Sequence, residues 1–387
     1  MNSKIYLDYA ATTPMLPEVM MAMAQCLTIK GDFANPASLQ HSFGEQANVL
    51  IEKSRSEIAI LLKCKSTDVI FTSGTTESNN LALKGIALKY QSKGKHIITS
   101  ASEHKSVLDT CKYLESIGFS ITYLRPDHKG CLNLECILDA LTEETILVSL
   151  MQVNNETGVI QDIEQIAQAL KDKDLFFHVD AAQSTGKLKI DLTETPIDLL
   201  SLSAHKFYGP KGIGCMYIRN RKQTNLMPLM HGGGQEYGLR PGTLPTHQIV
   251  GMATAFKRAH DQMLTDYQHC SRLAKILTSQ LQQLESVHFN GDQFNKLPHI
   301  INVSFNQVGA DSLLIALRDK LAISSGSACN TGAIEASHVL RSMGIEGDRL
   351  YGAVRISFGR YTTETDIQQA GRHICAAVAH LRQLALT

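Results

Sequence analysis

Thr145-Ile-Leu-Val-Ser-Leu150, a helical pattern over 163–170 and Leu175-Phe-Phe-His-Val179 together decide the fold. The first run is apolar on both faces, as a strand buried inside a parallel sheet requires. A second strand follows after a crossover of helical length, which is the βαβ arrangement. Upstream, Asp68-Val-Ile-Phe-Thr72, His96-Ile-Ile-Thr99 and Phe119-Ser-Ile-Thr-Tyr-Leu124 read as strands, with helical spacing over 77–90 and 106–117. Downstream, Asp198-Leu-Leu-Ser-Leu202 and Ile213-Gly-Cys-Met-Tyr-Ile218 continue the series. The alternation predicts an α/β fold with a mostly parallel sheet covered on both faces. After about residue 245 the pattern changes. A long helix is expected over 248–284, then a strand over 300–305, a helix over 311–319, a strand over 354–358 and a last helix over 364–384. The expected division is a large domain over 15–260, with 1–14 and 261–387 forming a smaller α+β domain.

Composition narrows the function. Lys plus Arg and Asp plus Glu are both 37 in a chain of 387 residues, so the formal net charge is zero. That balance argues against nucleic acid as a direct partner. The nine cysteines, at 26, 64, 111, 131, 136, 215, 270, 329 and 375, include no C-x-x-C pair. Such spacing suits neither a disulfide framework nor a zinc site, so no metal is expected, and the thiols fit a reducing compartment. Nothing approaches the ~18 apolar residues of a membrane span, and the start, MNSKIYLDYAATT, has no signal-peptide core. A cytoplasmic protein is expected.

Three signals carry chemistry. Thr72-Ser-Gly-Thr-Thr-Glu77 is a strand-to-helix turn whose hydroxyls and amides suit a phosphate; its plain alternative is a helix capped by Thr76. His178-Val-Asp180-Ala-Ala-Gln183 places a carboxylate at the end of an apolar strand, where it needs a cationic partner or serves as a cap. Ser201-Leu-Ser203-Ala-His205-Lys206 ends another apolar strand in a lysine. Most lysines are solvated surface charges, but one at a buried strand end suits a lowered pKa and a Schiff base. An anion cradle, a buried acid and a strand-end lysine together meet the needs of pyridoxal phosphate.

With these motifs in order the chain resembles the cysteine desulfurases of the NifS/IscS type, pyridoxal-phosphate enzymes of fold-type I, class V. The resemblance runs through Tyr6-Leu-Asp-Tyr-Ala-Ala-Thr-Thr-Pro14, Asn35-Pro-Ala-Ser38, Thr99-Ser-Ala-Ser-Glu-His104 and Val153-Asn-Asn155-Glu-Thr-Gly158. It continues through Ser203-Ala-His205-Lys206, His231-Gly-Gly-Gly234, Arg240-Pro-Gly-Thr243 and Ser324-Ser-Gly-Ser-Ala-Cys329. It implies that Lys206 binds the cofactor aldehyde and moves the Cα proton, that Asp180 pairs with the ring nitrogen, and that Gln183 bonds the phenolic oxygen. His104, otherwise a capping histidine, would stack on the ring. Thr75, Thr76, Ser203 and His205 match the phosphate cup, and Thr243 a residue reaching the phosphate from the other subunit of a homodimer. Arg355 would bind the substrate carboxylate, supported by Asn155 and Asn35.

Cys329 would be the nucleophile that takes sulfur from L-cysteine as a persulfide, releasing L-alanine. The sulfur would pass to an acceptor protein such as an iron–sulfur scaffold, where Cys329 would contact a nascent cluster, or a tRNA-thiolation protein. Two features depart from the family. Asn-Thr-Gly follows Cys329, and the tail by which IscS-type members dock their scaffold is missing after Thr387, which leaves a specialised acceptor open. The alternatives are a selenocysteine lyase, an aminotransferase and a non-enzymatic sulfur-relay component.

Overall fold

The computed structural model describes residues 4–325 and 336–385. Twelve strands are present among the described residues: β1 (Ile5–Tyr6), β2 (Val69–Thr72), β3 (His96–Ser100), β4 (Ser120–Leu124), β5 (Thr145–Met151), β6 (Phe176–Asp180), β7 (Leu199–Ser203), β8 (Gly214–Ile218), β9 (Val287–Phe289), β10 (Ile300–Phe305), β11 (Leu321–Ala322) and β12 (Ala353–Ser357). Seven of them form one sheet in the order β2-β8-β7-β6-β5-β3-β4. Only β8 runs antiparallel to its neighbours, so the expected mostly parallel α/β sheet is observed.

Alternation along the strands builds two cores, one on each face. Phe71, Ile98, Val148, Phe177 and Leu200 pack with Ile51, Ile58, Ile166, Met252 and Phe256 of helices Ser42–Leu62, Ile163–Leu170 and Thr246–Asp261. Their immediate neighbours Ile70, Ile97, Leu147 and Leu199 face the other way, as does Met216 between Cys215 and Tyr217. These meet Leu83, Ile86, Val107 and Cys111 of helices Thr75–Tyr90 and Lys105–Ser116. Strands apolar on both faces are what a doubly covered sheet selects.

The later segment forms an antiparallel sheet ordered β12-β10-β9. It shares a core of Leu273, Leu277, Val303, Ile356, Ile374 and Val378 with helices Met263–Leu281 and Glu364–Leu384. The N-terminal β1 pairs in parallel with β11, Ile5 opposite Leu321. The single long helix expected over 248–284 is instead two helices, broken at Gln262, whose φ of −101° and ψ of 2° leave the helical region. The break lets Met252 and Phe256 face one core while Leu273 and Leu277 face another. Helices Pro17–Ala24 and Ser42–Leu62 carried no sequence expectation.

The open edge of β2 is closed by side chains. Arg55 Nη1 donates to the Val69 carbonyl at 2.8 Å, and the Phe71 amide donates to Glu236 at 2.6 Å. Arg55 and Glu236 also pair with each other through two bonds of 2.8 and 2.7 Å, with both side chains almost fully buried. Glu236 and Tyr237 hold left-handed backbone conformations to make this possible, φ 48° and 58°. Removing one member of a buried pair leaves an uncompensated charge, costing about 3–5 kcal/mol. Glu236→Ala is therefore expected to lower the urea unfolding midpoint by that equivalent, and Glu236→Leu with Arg55→Met to recover most of it. An unchanged midpoint in Glu236→Ala would refute the pair's role.

Candidate active site

The carboxyl ends of the central strands open into a cleft of about 600 Å³, the position where open α/β sheets bind ligands. Most of the residues singled out in the sequence line it: Thr75, Thr76, His104, Asn155, Asp180, Gln183, Ser203, His205, Lys206 and Arg355.

The turn after β2 contributes a helix N-terminus. Gly74 stands at the N-cap with φ 150° and ψ 179°, a conformation essentially confined to glycine. No side chain caps this helix, so Thr76 lies inside its first turn and is not the cap. The first amides and the positive end of the helix dipole are left to face the cleft. A Cβ on Gly74 would stand 3.4 Å from Ser203 Oγ, so the turn and the end of β7 nearly touch.

Asp180, at the end of β6, is only 5% exposed. Its two oxygens accept from Asn79 Nδ2 at 2.7 Å and from the Ala182 amide at 2.9 Å. Asn79 also donates to Ser106 Oγ at 2.9 Å, and Ser106 lies 2.9 Å from His104 Nδ1. One asparagine thus links the buried carboxylate to the histidine. His104 caps helix Lys105–Ser116 by accepting the Ser106 amide, and it also lines the cleft, so the capping and cleft readings hold together. Its side chain is exposed where it lines the cleft. Burial, with help from Lys206 and His338, lowers its pKa, and Asp180 opposes the shift.

Lys206 follows β7 and donates from Nζ to the carbonyls of Ala10 and Ala11 at 2.6 and 2.8 Å. Burial, and then the Arg355 charge, lower its pKa to about 8, so about a tenth of it is neutral at pH 7. Burial beside Lys206 lowers His205 to about 4, and its Nδ1 lies 3.1 Å from Thr12 Oγ1. Gln183 donates to the Ala10 carbonyl at 2.9 Å.

Arg355, on β12, donates to the Asn155 carbonyl at 2.9 Å and pairs with Asp8 at 2.8 Å. Its Nε, together with Thr75 Oγ1, Gln183 Oε1 and Asn155 Oδ1, is buried with no hydrogen-bond partner among the described residues. Four orphaned polar atoms on residues of one cleft mark a site shaped for a polar ligand.

Two expected residues stand elsewhere. Asn35 and Thr243 are exposed and line a separate depression beside Arg55 and Glu236. Asn35 therefore does not support Arg355 within this chain, because its Oδ1 accepts the Ala37 amide in a local turn. Cys329 lies outside the described residues, but Ser324 and Ser337 on either side of it each bond a residue that lines the cleft. Ser324 pairs through its backbone with Arg355, and Ser337 Oγ donates to the buried Glu156 at 2.5 Å. Asp8, Asn79, Ser106 and His338 were missed by sequence reasoning. Only the juxtaposition of distant segments gives them a role.

The chain matches the aminotransferase class-V family model over residues 5–370. It is 50% identical over 384 residues to the cysteine desulfurase IscS of Buchnera aphidicola from Acyrthosiphon pisum, covering 99% of this chain and 95% of the relative. It is equally similar, with the same coverage, to the cysteine desulfurase IscS of Vibrio vulnificus YJ016. Among solved structures, a NifS-like protein superposes with a TM-score of 0.88 at 35% identity, covering 99% of both chains. SspA in complex with cysteine does so with 0.82 at 39%, covering 93% of this chain and all of that one. The chain belongs to the aminotransferase class-V family, among its cysteine desulfurases.

Proposed function

We propose that this protein is a pyridoxal-phosphate-dependent cysteine desulfurase. It converts L-cysteine to L-alanine, holds the sulfur as a persulfide on Cys329 and passes it to an acceptor protein. Iron–sulfur cluster assembly is the first candidate route, and tRNA thiolation the second. The observation that carries the reading is the meeting, in one cleft, of a buried carboxylate (Asp180), a lysine with a lowered pKa (Lys206) and an uncapped helix N-terminus behind Gly74.

These residues fit pyridoxal phosphate. The amides behind Gly74, with Thr75, Thr76, Ser203 and His205, would hold the phosphate. Asp180 would hold the pyridine nitrogen protonated, Gln183 the phenolic oxygen, and Lys206 the aldehyde. When bound, the cofactor supplies an electron sink for the charge left at Cα. Lys206, partly neutral near pH 8, takes the Cα proton. Arg355 orients the substrate carboxylate through its free Nε, with Asn155 beside it. Asp8 holds the guanidinium on its other side. The Cys329 thiolate attacks the substrate sulfur. Burial pushes the thiols of Cys64, Cys111 and Cys270 up to about 12, which makes them poor competitors.

A homodimer is supported by the place of Thr243, exposed and outside its own chain's cleft. Exposed Met20, Met21, Leu27, Ile29, Phe33 and Phe43 also lie in the N-terminal segment next to Asn35. We read the chain as a large body over 15–260 and a smaller one over 1–14 and 261–387, working in the cytoplasm. No described helix is long and apolar enough to cross a membrane.

Cys329→Ala is expected to keep the yellow cofactor absorbance and lose sulfide release from L-cysteine. Full activity would sink the persulfide assignment, and keto-acid turnover in its place would point to an aminotransferase. In Lys206→Ala, alanine formation should fall at least ~10²-fold, with no borohydride-trapped cofactor. Trapping at another lysine would refute the assignment. Gly74→Ala should weaken cofactor retention on dialysis with little change in the circular-dichroism spectrum, and undiminished retention would count against the cup.

A further inference from the structure

Asn79 and Ser106 carry a row of hydrogen bonds whose direction is fixed at every link. Asn79 is fully buried, and its amide nitrogen can only donate. One hydrogen goes to Asp180 Oδ2 at 2.7 Å and the other to Ser106 Oγ at 2.9 Å. Ser106 Oγ lies 2.9 Å from His104 Nδ1, which also accepts the Ser106 amide at 3.1 Å. A nitrogen that accepts an amide N–H carries no hydrogen of its own, so the Ser106 hydroxyl is the donor in this contact. His104 Nδ1 thus takes two donors from one residue, and the neutral imidazole keeps its hydrogen on Nε2.

The row is satisfied in this state alone. With His104 neutral, Ser106 Oγ has a donor in Asn79 and an acceptor in Nδ1. A proton on Nδ1 would stand against the Ser106 amide hydrogen and leave the hydroxyl facing two donors with no acceptor. Asp180 sets the other end, because the amide oxygen of Asn79 turned toward a carboxylate would find no hydrogen there. The charged and titratable groups around His104 are Asp180 and Asp109, which favour its protonation, and Lys206 and His338, which oppose it.

We infer that Asn79 and Ser106 are positioning residues that, anchored on Asp180, present His104 to the cleft with its hydrogen on Nε2 and its Nδ1 already occupied, a role that rests on the desulfurase reading above. That reading places His104 against a cofactor ring whose nitrogen Asp180 holds protonated. An imidazolium there would repel the ring, so turnover depends on the row that keeps His104 neutral. Neither residue touches the reacting atoms, and both act through His104 and Asp180.

Ser106→Ala tests this, because alanine keeps the amide, and with it the helix cap, and removes only the hydroxyl. In cofactor-loaded enzyme labelled with 15N-histidine, wild-type His104 should show the Nε2–H tautomer and protonate below the ordinary histidine pKa of about 6.5. In Ser106→Ala its pKa should rise by about half a unit or more, because a hydrogen bond that favours the neutral form is gone. The ratio of variant to wild-type kcat/KM for alanine formation should stay near one at pH 8. It should fall as the pH drops through that pKa, approaching about threefold for half a unit. Ser106→Thr restores the hydroxyl and should return both readouts to wild type. Should the alanine enzyme fail to fold, Ser106→Cys, a weak donor of similar size, must show the same upward shift. An unmoved His104 pKa overturns the proposal. So does a loss of activity that is equal at every pH, and so does a threonine variant that behaves like alanine. Wild-type enzyme that makes no alanine from cysteine would remove the desulfurase reading, while the His104 titration would still decide whether Ser106 sets the imidazole.

Discussion

A carboxylate buried at a strand end is the constraint on which the site depends. Asp180 sits where the apolar interior of β6 gives way to the cleft, almost without access to water. An ionised group there is stable only with hydrogen bonds on its oxygens and a cationic partner. The Ala182 amide and Asn79 provide the bonds. Asn79 belongs to helix Thr75–Tyr90, so satisfying Asp180 fixes where that helix lies over the sheet, and with it the uncapped N-terminus behind Gly74. The second donor hydrogen of Asn79 goes to Ser106, which meets His104. The strand order sets β6 between β5 and β7. Lys206 therefore arrives from one neighbouring strand and Asn155 from beyond the other.

The electrostatics of the cleft follow from the same arrangement. Lys105, Lys206, Lys211 and Arg355 line it together with Glu77, Glu156 and Asp180. A chain with no net charge thus gathers four basic side chains in one cleft, beside three acidic ones. Burial lowers the pKa of His104 and His205, and the Ser106 amide leaves neutral His104 with its hydrogen on Nε2.

Much of this was legible in the sequence, for a physical reason. Strands covered on both faces must be apolar throughout, so a polar residue at their carboxyl end stands out, and Asp180 and Lys206 did. What stayed hidden depends on contacts between distant segments. Asn79 meets Asp180 across 101 residues and Asp8 meets Arg355 across 347. No local pattern marks either pair. Helix Ser42–Leu62 was unread because its buried face carries Arg55 and Ser54 among Ile51, Ile58 and Leu62, which blurs the apolar stripe. The break at Gln262 has no glycine or proline to announce it. Gly74 was read as a tight turn, but its lack of a side-chain cap is a property of the folded turn alone.

The sealed edge of β2 has a consequence for the newborn chain. The groups that close it, Arg55 and Glu236, are separated by 181 residues. While the protein is being synthesised, β2 and helix Ser42–Leu62 leave the ribosome long before Glu236 exists. Through that interval an apolar strand offers unsatisfied amides and carbonyls to any passing strand, the situation that promotes edge-to-edge aggregation. Its other neighbour, β8, is also made late, at residues 214–218. The first strand of the large sheet is therefore among the last to be secured on both sides.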